Sequence, residues 1–185
     1  MATIGLTKDL LLNGLNNILN NLLYGLVSPR LVASNAWVEA SRGAALFKGP
    51  EADIQVHLGP LSKRVIDPTL RDGFIRNYEN SLLRAMLRES HELILLHCEE
   101  TQQFPVYKAE PWFQFARILR NVVSHKQGGV LRKWPTDLLR NGVTSVTWRH
   151  RKFETGMLGT EVTFYLHEGL LLLRDETDFV AAKLS

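Results

Sequence analysis

The chain has 185 residues, a mass of 21.0 kDa and a single cysteine, Cys98. That length suits one domain around one core; 45% hydrophobic against 22% charged residues excludes wholesale disorder, and one thiol excludes a disulfide framework or a multi-thiolate zinc site. The net charge of +3 is unevenly spread: Arg117 to Lys152 holds nine basic residues against the one acid Asp137, a net +8, while the rest, 13 basic against 18 acidic, carries −5. Such asymmetry makes a positive surface that attracts a polyanion, RNA or DNA first among them.

From Leu10 to Val27, apolar residues at 11, 12, 15, 18, 19, 22, 23 and 26 recur at helical spacing, with asparagines outside. Those asparagines and the lack of a charged lead make this an amphipathic helix, neither a leader nor a membrane span, so no membrane partner is expected. The lone cysteine points to a reducing, cytoplasmic location. Ser28 and Pro29 signal a second helix running to about Phe47, and the proline- and glycine-bearing stretch Gly49 to Ile66 reads as a loop. Asp67 and Pro68 repeat the start signal for the longest helix, ending near Gln103, with Arg76, Arg84, Arg88, Glu89 and Glu92 on its polar face.

Glu110 and Pro111 open a helix that stops at Gly128 and Gly129. β-Branched residues crowd into Val143 to Trp148 and Thr160 to Phe164, with Gly156 and Gly159 between, which predicts a hairpin over 143–166. Leu170 to Leu184 returns to helical spacing. The fold class expected is all-α, a helical bundle over residues 1–185 with a small β-hairpin inserted before the last helix.

The helix ending at Gly128 carries the chemistry. At 100° per residue, Arg117, Arg120, Asn121, Ser124 and His125 share an arc of about 140°, opposite Trp112, Phe115, Ile118, Leu119, Val122 and Val123. Such a face is either an ordinary solvated one, with a histidine favoured near the helix C-terminus, or a site. Histidine exchanges protons near neutrality, arginine grips phosphate through two donors, and asparagine orients either.

Arg120, Asn121, Val122, Val123, Ser124 and His125 resemble the R-N-x-x-x-H form of the R-x4-6-H signature of HEPN domains, the higher eukaryotes and prokaryotes nucleotide-binding family. The resemblance implies a HEPN-like bundle that pairs as a homodimer, bringing two motifs together as a metal-independent endoribonuclease of toxin or phage-defence type. It assigns catalysis to Arg120 and His125, supported by Asn121, with no cofactor and no metal. Arg117, Ser124, Lys126, Arg132, Lys133, Arg149 and Arg151 are then the residues expected to bind RNA, and an antitoxin or regulatory protein is a further partner. The alternative within the same resemblance is a non-catalytic module that binds RNA, a nucleotide or a partner protein.

Other residues give less. His97 and Cys98 diverge by about 100° on their helix and cannot chelate one metal by themselves. His91 reads as a surface histidine, though the long helix can bring it to the same cleft. Trp112, Trp134, Trp148 and Phe153 are able to stack on bases, but core packing is the commoner duty of such rings.

Overall fold

A computed structural model describes residues 6–32, 44–47, 54–57, 63, 66–124 and 129–185. Helix dominates these residues, with two small antiparallel hairpins, the second near the C-terminus. The elements are α1 (Lys8–Val32), β1 (Ala44–Phe47), β2 (Ile54–His57), α2 (Pro68–Glu100), α3 (Phe104–Lys108), α4 (Phe113–Ser124), α5 (Thr136–Arg140), β3 (Ser145–Trp148), β4 (Arg151–Glu154), a 3-10 turn at Thr155–Met157, and α6 (Leu166–Lys183). The chain divides into two compact units, Asn20–Leu82 and the remainder. Among the described residues no helix is long and apolar enough to cross a membrane.

In the Asn20–Leu82 unit the expected second helix is corrected. Ser28 and Pro29 start nothing: α1 runs through them to Val32, and Ser28 Oγ donates to Tyr24 O at 2.7 Å. Pro29 has no N–H to offer its helix, and one lost backbone bond is tolerated when the turns on both sides persist. Residues 33–43 lie outside the described set, but Ala44–Phe47 is a strand, paired from Ala44 with His57 to Phe47 with Ile54. Its partner β2 lies in the stretch read as loop; alternation through Ile54 and Val56 is the strand signal that its glycines and prolines obscured. The Asp67 signal holds, since Asp67 Oδ1 accepts from Thr69 N at 2.8 Å and caps α2.

The larger unit is built on α2. Leu83, Met86, Leu87, Ile94 and Cys98 form its buried stripe, and Leu11, Leu15 and Ile18 of α1 repeat the helical period. Gly14 and Gly169 permit close approach, because an added Cβ would strike Leu93 at the first and Leu83 and Met86 at the second. α6 begins four residues earlier than its apolar period suggests, because Glu168 Oε2 accepts from Tyr165 N at 2.9 Å and ties the first turn.

The C-terminal hairpin exists but uses a different second strand. β3 pairs with β4, Ser145 opposite Glu154 and Trp148 opposite Arg151, and Arg149 turns the chain with φ 52°. Phe115 of α4 fixes this register: its ring stacks 4.6 Å from Phe153 and lies 5.4 Å from Trp148. The β-branched run at Thr160–Phe164 pairs instead with the segment after α4, through a Val130–Glu161 bridge and Val162 N to Gly129 O at 2.8 Å. Trp112, Trp134, Trp148 and Phe153 are all buried, so their rings pack the core.

Candidate functional site

α4 buries Phe113, Phe115, Ala116, Ile118, Leu119 and Val122, which turns Arg117, Arg120 and Asn121 the other way. These three polar residues line a cleft of about 420 Å³, completed by His91 and Glu99 of α2, Phe104 and Lys108 of α3, and Asp137 of α5. A second cavity of about 520 Å³ shares Arg117, Asn121 and Asp137 and adds Lys133 and Arg140. The two meet at one ion pair, in which Arg117 grips Asp137 through both oxygens at 2.6 and 2.8 Å. The Arg117 hydrogen bonds hold the Asp137 carboxyl down at about 2 against its small burial, so it is ionised across the neutral range.

Arg120 is held on two sides. Its Nη2 donates to Glu92 Oε1 at 2.5 Å and its Nη1 to Asn121 Oδ1 at 3.1 Å, while its buried Nε has no partner among the described residues. Asn121 thus orients the arginine that precedes it. Glu92, read from the sequence only as part of a polar face, is the acid that holds Arg120 across the cleft wall.

The other expected residues fall into three groups. Ser124 closes α4, and His125 and Lys126 lie outside the described residues. Lys133 lines the second cavity, and Arg132 beside it is exposed. Arg149 and Arg151 point to the C-terminal helix: Arg149 pairs with Asp175 at 2.7 Å, and Arg151 lies 3.4 Å from Glu168 and donates to Thr163 O. Those two arginines brace the hairpin turn, and part of the excess positive charge is neutralised there.

His91, expected at the surface, lies in the interior. It is only 4% exposed, with Nδ1 2.8 Å from the hydroxyl of buried Tyr107. The signal was present: residue 91 lies one turn from both Leu87 and Ile94, on the stripe that faces inward. His97 is buried too, its Nδ1 2.6 Å from Leu6 O, and burial beside Glu99 pushes the Cys98 thiol up to about 11, so this pair is structural. Among the described residues no group of three or more His, Cys, Asp and Glu side chains is placed to hold a metal ion.

No protein-family model matches the chain, no characterised protein matches it in sequence, and no solved structure matches its fold.

Proposed function

We propose that the cleft on α4 binds the sugar-phosphate backbone of RNA and that the protein is a metal-independent endoribonuclease of toxin or phage-defence type, acting as a homodimer of HEPN-like chains. The observation that carries the reading is Arg120, oriented by Asn121 in a cleft that also holds Arg117 and Lys108. Three cations around one cavity suit a phosphodiester, and a planar guanidinium suits its two nonbridging oxygens. In the reaction, the RNA 2′-oxygen forms a bond to the adjacent phosphorus while the bond to the 5′-oxygen breaks. His125 takes the 2′-hydroxyl proton, the second copy's histidine protonates the leaving oxygen, and Arg120 stabilises the charge on the phosphorane. DNA lacks the attacking hydroxyl and is not cleaved.

Incubation of the purified protein with RNA in EDTA tests this: fragments ending in 2′,3′-cyclic phosphate are expected, and Arg120→Ala and His125→Ala should each abolish them. Light scattering should report about twice 21.0 kDa. One observation favours the second reading, a non-catalytic module for RNA, a nucleotide or a partner such as an antitoxin. Glu92 and Asp137 already neutralise Arg120 and Arg117, which weakens the electrostatic help available to a transition state. Wild-type protein that binds RNA as a dimer and leaves it whole decides for that module.

A further inference from the structure

His91 lines the same cleft as Arg117, Arg120 and Asn121, and its hydrogen bonding fixes which ring nitrogen faces a ligand. Tyr107 is completely buried, and among the described residues its hydroxyl meets only His91 Nδ1, at 2.8 Å. A buried phenolic O–H without an acceptor is costly, so its proton points at Nδ1. Nδ1 then accepts, and a neutral ring carries its one hydrogen on Nε2. Burial first, then nearby Arg120, lowers His91 to about 4 although Glu92 opposes them, so the ring is neutral at pH 7. Burial also pushes Tyr107 well above its ordinary value, so the phenol keeps its proton. Nε2 pairs with no described protein group, and the ring lines the cleft.

We propose that His91 is a fixed neutral hydrogen-bond donor of the cleft, presenting Nε2–H to a nonbridging oxygen of the phosphate held by Arg120, with Tyr107 as the positioning residue that locks the tautomer. This deepens the RNA reading and rests on it for the source of the phosphate. Burial and the nearby Arg120 disfavour a protonated ring at this place, whereas a neutral donor satisfies an oxygen without that cost. Work as a proton acceptor is closed to this ring, since Nδ1 is occupied and Nε2 is protonated. The two histidines thus divide the labour: His91 binds, and His125 moves protons.

Nitrogen NMR of the full chain with labelled histidine reads the tautomer and the contact together. The probes are inorganic phosphate and a 2′-O-methyl RNA oligonucleotide, which keeps the RNA backbone but has no free 2′-hydroxyl to attack with. At pH 7 the free protein should show a bare Nδ1 and a protonated Nε2 at His91. Both probes should shift that Nε2–H, and Arg120→Ala should remove the shift. Tyr107→Phe should release both tautomers and weaken oligonucleotide binding about fivefold, the worth of one neutral hydrogen bond, raising KM for RNA with little change in kcat. A hydrogen on Nδ1 in the free protein, or saturation by either probe with the His91 nitrogens unmoved, overturns the assignment. Phosphate that shifts Nε2 while the oligonucleotide fails to bind keeps the donor and refutes the RNA reading. Failure of both probes to bind refutes both.

Discussion

Arg120 donates to Glu92 across 2.5 Å, from α4 to α2, and so meets an acid of its own protein where a phosphate is proposed to sit. The two side chains are 35% and 44% exposed, so water screens the pair and its worth to stability is at most about 1 kcal/mol. Glu92→Gln should therefore barely move the melting temperature but tighten RNA binding, because the guanidinium no longer has to leave a carboxylate. Fluorescence anisotropy at fixed low salt measures it. If Glu92→Gln weakens binding as much as Arg120→Ala, Glu92 serves to position the arginine and does not compete with the ligand.

Two buried groups shape the dependence of stability on pH, with opposite signs. Burial raises Glu176 to about 8, helped by Asp175 and only partly offset by Ser90, so its contribution is full below pH 4.5 and is lost as pH rises through 8. His91 is lowered to about 4, so its contribution is present above pH 6.5 and is lost as pH falls through 4. The two slopes cancel between pH 4.5 and 6.5, and Glu176 acts alone from 6.5 to 8, where one proton over that span is worth about 2 kcal/mol at most. Thermal unfolding should lose stability across pH 6.5 to 8 in the wild type. Glu176→Gln should remove that loss and expose the acid-side decline owed to His91. A Glu176→Gln profile parallel to wild type contradicts the assignment.

The hairpin arginines and the groove lysine should respond differently to charge reversal. Arg149 and the Trp148 indole N–H both contact Asp175, so Arg149→Glu sets two acids against each other and should lower the melting temperature. Its effect on RNA affinity should be smaller than that of Lys133→Glu, since Lys133 lines the cavity beside Arg117. Paired melting curves and salt-dependent binding separate the two. An equal loss of affinity from both moves the binding surface onto the hairpin.

Phe153→Ala should cost about 3–5 kcal/mol, because it removes a buried ring stacked on Phe115 and leaves a cavity under the hairpin. Urea unfolding gives the number. A cost under about 1 kcal/mol would mean that the hairpin does not depend on α4 for its place.

Some of this was legible in the residues and some was not, for physical reasons. The Asp67 cap, the length of α2 and the two-faced character of α4 follow from local periodicity, which tertiary packing reinforced. The hairpin turn escaped because no glycine marks it: Arg149 takes the left-handed conformation itself, held by Asp175 and by its guanidinium 5.4 Å from the Trp148 ring centre. Ala44–Phe47 has no strand signal of its own and resembles the end of a helix; it takes its state from pairing with β2. At the site, Arg120 and Asn121 were visible as one polar face, whereas Glu92 and Tyr107 join it from α2 and α3, across distances that no local pattern encodes.

Cleavage at the α4 cleft is read most directly by end-group analysis of RNA incubated in EDTA with protein whose dimeric state has been verified. Wild type should yield fragments with 2′,3′-cyclic phosphate and 5′-hydroxyl ends, and Arg120→Ala and Arg120→Lys none, since a point charge cannot replace the planar fork. Intact RNA bound by the wild-type dimer, or cleavage by Arg120→Ala at the wild-type rate, would contradict it.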